Sequence, residues 1–275
     1  MDLKKMIQMT NHFLDQTPNN YINLRDALSP ELAGMQIFEE SVFGIADAGD
    51  PLFLEMKKET VIGKHYMCPQ EWLPNARSVI SYFLPFSNTI RNSNGKDYRW
   101  PSKEWLHGRI EGQALILDLS RYLADAIETT GFESIIPAID ERYRKKDKPP
   151  VFTSNWSERH AAFVAGLGTF SLSKGMITVK GTAGRFGSLI TTMPIPVTLR
   201  SYDTLEGYCN HCGVCASQCP ATAITLEEGK NHEKCGAYID ETAKKFNPRF
   251  GCGKCQVNVP CEKMIPQNAQ QFLRK

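Results

Sequence analysis

The sequence predicts an α+β protein in two parts, an α/β sandwich over 1–200 and a small cysteine-rich part over 201–275. Helix and strand patterns alternate up to about residue 200. Beyond it, glycine and short polar turns take over, and eight of the nine cysteines fall between Cys209 and Cys261. A chain of 275 residues can bury one large core or two smaller ones. The composition boundary lies at 199–207, through the linker RSYDTLEG.

The elements follow in chain order. Residues 1–16 space Leu3, Met6, Ile7, Phe13 and Leu14 as a helix face and carry no small-residue cleavage site, so a helix is expected rather than a signal peptide. SVFGIA (41–46) and SVISYFLPF (78–86) are β-branched and aromatic runs bounded by turn residues, hence buried strands. A helix is expected over 109–131, with Ile110, Ala114, Leu117, Leu119, Leu123, Ala126 and Ile127 near helical spacing and Gly131 as its stop. His107, Arg109 and Glu111 would then stand at its start, where free N–H groups attract anionic or amide ligands. Residues 133–140 read as a strand, 143–150 as a charged loop ended by two prolines, and GMITVKG (175–181) and RFGSLITTMPIP (185–196) as further strands.

The composition is that of a soluble globular protein, 41% apolar and 23% charged. Lys and Arg total 32 against 30 acidic residues, a net +2 that singles out no polyanionic partner. No run of about 18 apolar residues exists, so no membrane span and a cytoplasmic location are expected.

The cysteines carry the strongest signal. Cys209-x2-Cys212-x2-Cys215-x3-Cys219-Pro is the bacterial ferredoxin run, in which the fourth cysteine serves a second cluster. Zinc needs only two C-x2-C pairs. The remaining set is Cys235, Cys252, Cys255 and Cys261, the last after a stretched five-residue spacing. Crossing the sets gives Cys209, Cys212, Cys215 and Cys261 for one 4Fe–4S cluster and Cys219, Cys235, Cys252 and Cys255 for the other. The alternative is one cluster with structural thiols. Cys68 reads as a small buried hydrophobe. Two clusters move single electrons, and the preceding 200 residues then call for an acceptor.

VFTSNWSERHAAFVAGLG (151–168) reads as a helix capped by Ser157 and stopped at Gly166. It leads into GLGTFSLSKG, where small residues let backbone approach a large cofactor closely. A dinucleotide site does not follow, because no strand precedes the glycines in the required unit.

The order ER-x-A-x-x-AGLG, strand signals, C-x2-C-x2-C-x3-CP and a split second cysteine set resembles the epoxyqueuosine reductase family and, more distantly, the reductive dehalogenases. The resemblance runs from VFGIADAG through SVISYFLPF to GCGKCQ. It implies a nitroreductase-like domain binding base-off cobalamin, followed by a ferredoxin-like domain with two 4Fe–4S clusters. It places Glu158, Arg159, Ala165, Gly166, Leu167 and Gly168 against the corrin. It implies tRNA as the macromolecular substrate, and redox range alone points to a small flavodoxin or ferredoxin as electron donor. Three departures stand beside it. Phe152 occupies the place of the family's proton-donating aspartate. Fourteen residues follow Cys261 where relatives carry a helical-repeat region. The last cysteine spacing is stretched. By residue type, Tyr143, Tyr98, Tyr66, His65, His107 and His160 are the candidate proton donors. Two other readings share the fold: a protein that transfers electrons or reduces a corrinoid protein without a small substrate of its own, and a reductase using FMN.

Overall fold

A computed structural model describes residues 2–148 and 151–269. The strands are β1 (Val42–Asp47), β2 (Ser78–Pro85), β3 (Ser134–Ile135), β4 (Lys145–Lys148), β5 (Val151–Ser154), β6 (Gly168–Phe170), β7 (Met176–Thr178) and β8 (Gly184–Thr191). The central sheet is antiparallel, ordered β1-β2-β8-β3. All eight positions of β2 are buried, because helices cover both faces of the sheet.

The helices that matter to the site are α1 (Leu3–Gln16), α2 (Pro51–Glu55), α3 (Pro69–Trp72), α4 (Asn88–Asn94), α5 (Lys103–Glu128), α6 (Glu158–Val164), α7 (Val214–Ser217) and α8 (His232–Phe246). On one face, Ile80, Tyr82 and Leu84 of β2 meet Leu115, Leu119 and Leu123 of α5 in the main core. Full burial of such side chains contributes about 1.5–3 kcal/mol each. The Tyr82 hydroxyl is satisfied there by donating to the Ile116 carbonyl at 2.7 Å. On the other face, Val79 packs with Trp156, Ala161 and Val164 at α6.

Helix α5 starts earlier than the apolar spacing suggests. Ser102 caps it, accepting from Trp105 N at 3.1 Å, so His107, Arg109 and Glu111 lie inside the helix and not at its start. Gly108 is tolerated because Phe86 fills its side: an added Cβ would sit 2.8 Å from that ring. The expected strand over 133–140 is short, ending at Ile135 before a 3-10 turn at Pro137–Ile139. The charged segment expected as a loop forms a hairpin, β4 pairing with β5 from Lys145↔Ser154 to Lys148↔Val151. Its two prolines lie outside the described residues.

The cysteine-rich part packs into the first part. Val257 joins the main core, and Cys209 and Cys261 lie against the cluster around Phe163 and Tyr202. The Thr182 amide donates to the Cys261 carbonyl at 2.9 Å. Gly253 has φ +72, and a Cβ there would lie 1.9 Å from the Trp105 ring. Only glycine lets this loop close on α5.

Candidate iron–sulfur centres

Eight cysteines gather around two cavities. The larger, about 270 Å³, is lined by Cys219, Cys235, Cys252 and Cys255; the smaller is lined by Cys209, Cys212, Cys215 and Cys261. Helix α7 carries Cys215 and α8 carries Cys235, while left-handed Gly213 (φ 75°) turns the chain into α7. Of the eight, Cys212 is exposed and the others are buried or half-buried.

Among the described residues no three His, Cys, Asp or Glu side chains converge on a single metal ion. A cubane asks for something different: four thiolates that each bind a separate iron at the corners of a bulky group. The surroundings fit that group. Backbone amides point at sulfur, as where Ala223 N donates to Cys219 Sγ at 3.3 Å. Burial, reinforced by the neighbouring thiols, pushes Cys215, Cys252 and Cys261 up to about 12. Four thiolates are not tolerated together without added positive charge, which iron supplies. The two sites adjoin: after burial, the first neighbour felt by Cys215 is Cys255 of the other set.

Arg159 is exposed, and its guanidinium lies close enough to the larger site for its field to reach Cys255 and Cys235. Glu158 turns the other way. Its Oε2 is buried without a hydrogen-bond partner, and burial raises its pKa to about 8, so the carboxyl is protonated at neutral pH. Tyr66 and Ser81 also bury unpaired hydroxyl oxygens, and Glu158, when ionised, bears on Tyr66. Composition and spacing gave no sign of these buried polar groups, since Glu158, Tyr66 and Ser81 come from three separate segments.

The glycine turn is packed closely against protein. A Cβ on Gly168 would lie 1.9 Å from the Ile177 carbonyl, and one on Gly44 would lie 2.2 Å from the Ala165 carbonyl. Ala165, Leu167 and Gly168 are buried in protein, and Gly166, at φ +79, faces Thr198. These residues seat α6 on β1 and β7. Of the six residues inherited from the resemblance, Arg159 is the exposed one, with its field reaching the cysteines of the larger cavity.

The candidate proton donors scatter. His107 is fully buried, accepting from Leu28 N at 3.1 Å and contacting Glu111 at 3.0 Å, so it is a core tie. Tyr98 is exposed and donates to the Ser217 carbonyl at 3.1 Å. Tyr143 packs at the edge of the core beside Trp72. His65 meets the Thr153 hydroxyl at 2.9 Å. His160 contacts the Ser157 hydroxyl at 2.8 Å, and burial, helped by Arg159, lowers its pKa to about 4, leaving it neutral. The sequence reading missed Arg185, Lys230 and Lys254, which line the larger cavity with Arg109. Their spacing follows no motif; only the fold brings them together.

No family model matches the sequence. The epoxyqueuosine reductase of Staphylococcus aureus is 26% identical over 202 residues, covering 70% of this chain and 50% of that protein. The epoxyqueuosine reductase of Bacillus subtilis is 28% identical over 206 residues, covering 71% and 50%. The chain resembles the epoxyqueuosine reductases. It spans about half the length of the curated relatives it matches. The fold agrees: the epoxyqueuosine reductase structure from Streptococcus thermophilus superposes at TM-score 0.55 and 18% identity, over 95% of this chain and 66% of that one. A catabolic reductive dehalogenase superposes at TM-score 0.53 and 15% identity, over 98% and 38%. Another, described for B12-dependent dehalogenation, gives 0.52 over 84% of this chain and 31% of that one. Within this epoxyqueuosine reductase-like fold, Phe152 packs on α8, its ring 3.2 Å from where a Cβ on Gly236 would stand.

Proposed function

We propose that this chain is a two-cluster iron–sulfur oxidoreductase that takes single electrons at the Cys209, Cys212, Cys215 and Cys261 centre. They pass through the Cys219, Cys235, Cys252 and Cys255 centre to an acceptor beside Arg159. The observation that carries this reading is the adjacency of two four-cysteine cavities, one bearing the exposed Cys212 and the other within reach of the exposed Arg159. The likeness to epoxyqueuosine reductases and to a B12-dependent dehalogenase fold supports a corrinoid as the acceptor. When present, a corrinoid supplies a cobalt centre that receives electrons singly.

The chain's own residues have separate tasks. The thiolates hold the clusters. Arg159 offers donors to an amide or carboxylate rim. Glu158 holds a proton on a buried carboxyl. Phe152 holds none, so the epoxide of a tRNA nucleoside lacks the acid that the family resemblance places there. The turn packing and Phe152 favour an acceptor approaching from solvent, free or carried by a partner protein, over one enclosed in the chain.

The test is anaerobic. Dithionite-reduced protein, freed of excess reductant, is mixed with cobalamin, and the visible spectrum is followed. Reduction of the cobalt, slowed by Arg159→Gln, is the expected result. Clusters that stay reduced in the presence of cobalamin, or that hand electrons only to FMN, overturn the corrinoid assignment.

A further inference from the structure

The two cysteine sets have matching ligands but opposite surroundings. Arg109, Arg185, Lys230 and Lys254 line the larger cavity, and the Arg159 field reaches it. No Asp or Glu lines it. The smaller cavity is lined by the hydroxyls of Ser171 and Ser173, by apolar side chains and by His211, with no Lys or Arg. His211 is itself paired with Glu206 at 3.1 Å, and the Glu206 charge bears on Cys209.

The partners of these cations are neutral. Arg185 Nε donates to Gln113 Oε1 at 3.0 Å, and Lys254 Nζ donates to the Asn94 carbonyl at 2.6 Å. Arg159 donates to the Lys174 carbonyl at 2.8 Å. The Arg109 guanidinium lies 4.3 Å over the Phe250 ring, with its buried Nε unpaired. Elsewhere the arginines find carboxylates: Arg142 with Asp140 at 2.8 Å, Arg200 with Asp50 at 2.6 Å and Arg249 with Glu111 at 2.5 Å. Among the described residues, none of the cations at the larger cavity has such an ion pair. Arg109, Arg185 and Lys230 are half-buried and Lys254 is buried, and the Asp97 charge bears on Lys254; gathering these cations with no carboxylate in contact is costly, and an anionic occupant offsets that cost.

A cubane with four thiolates is a dianion when oxidised and a trianion when reduced. Cations stabilise the second form more than the first, and in a buried setting the preference is weakly screened. We infer that the cationic collar of Arg109, Arg185, Lys230 and Lys254 sets the inner cluster at the higher reduction potential, so that electrons entering at the outer cluster drain inward. Each transfer moves one electron: the outer cluster is oxidised, the inner one reduced, and a one-electron donor of lower potential refills the first. Hydrogen bonds and charge around the sulfurs are established levers on cluster potential. The inference rests on the two-cluster reading, takes the Cys219, Cys235, Cys252 and Cys255 centre as the inner one, and adds a cause for the direction of flow.

An anaerobic potentiometric titration of the full chain, with dithionite as reductant and EPR as readout, tests the order. Iron content and the presence of two signals test the two-cluster reading first and separately. Cys261→Ser removes the outer signal and so identifies the inner one. The inner cluster should be reduced first in the wild type. Arg109→Gln should lower the reduced-to-oxidised ratio of the inner cluster about tenfold at fixed potential, about 59 mV for one electron. The outer cluster should not move, and Arg109→Lys should restore the wild-type value. Lys254→Gln supplies the same test if Arg109→Gln fails to load iron. Two signals with the outer cluster reduced first, or a charge removal that leaves the inner potential in place, overturns the inference while leaving two clusters standing.

Discussion

The Phe152 ring stacks on the His232 imidazole with centroids 6.1 Å apart and planes 28° apart, fastening β5 to the first residue of α8. The position that would carry an acid is spent on packing the hairpin against the helix that bears Cys235. Stacked pairs of this kind are worth about 0.5–1.5 kcal/mol beyond area burial. Cluster-loaded protein is expected to leave an epoxyqueuosine-bearing tRNA stem–loop unreduced. Multiple turnovers in that assay would show that a different side chain supplies the proton.

Iron content should be about eight per chain after anaerobic reconstitution, four for each cubane. Cys261→Ser should retain about four irons and one EPR signal. A value near one metal per chain would replace the clusters by a mononuclear site.

Gly168→Ala should be a folding mutant. Its Cβ would meet the Ile177 carbonyl at 1.9 Å, a backbone atom that cannot move aside. The soluble yield should collapse whether or not cofactors are supplied. A variant that folds normally and loses only corrinoid binding would return the glycine turn to the cofactor.

Glu158 sets a pH dependence of stability. Its folded pKa, about 8, is raised above its ordinary 4.5 by burial. Its stabilising contribution is therefore complete below pH 4.5 and is lost as pH rises toward 8, because the unfolded chain ionises there and the folded chain does not. The loss is on the order of 5 kcal/mol at its limit. Urea melts at pH 5 and pH 8 should show a decline in the wild type that Glu158→Gln removes. An equal decline in both proteins would mean that another group sets it.

Glu111 acts with the opposite sign. Burial would raise its pKa, but hydrogen bonds from His107 and Arg249 prevail and hold it at about 2. Its contribution is present above pH 4.5 and is lost as pH falls toward 2. Because Arg249 lies in the cysteine-rich part and Glu111 on α5, Glu111→Gln should release that tie. The expected outcome is a lower Tm at pH 7, by several degrees, and a smaller difference between variant and wild type in acid. A variant matching wild type at both pH values would show that the pair contributes nothing net.

Much of the sheet was legible because β2 is buried throughout and β1 and β8 each hold a run of four or five buried residues that local pattern reveals. The start of α5 was not, since Gly108 looks like a breaker until Phe86 is seen filling its side. The hairpin of β4 was hidden because its pairing comes from β5 and not from its own lysines. The cysteines were legible through spacing alone. The cations around them were not: Arg109, Arg185 and Lys254 come from α5, β8 and a late loop, and no local pattern joins positions that meet only in three dimensions.

The order of the cysteines along the chain carries a consequence for assembly. All four ligands of the inner centre, Cys219 to Cys255, fall between Cys215 and Cys261 of the outer one. The inner loop is nested within the outer. Loop closure costs entropy that grows with the free length to be closed. Once the inner centre has stapled its segment, the remaining span to Cys261 is short. Metal loading is therefore expected to run from inside outward: Cys261→Ser should spare the first step, whereas Cys252→Ser should deprive the second of its template.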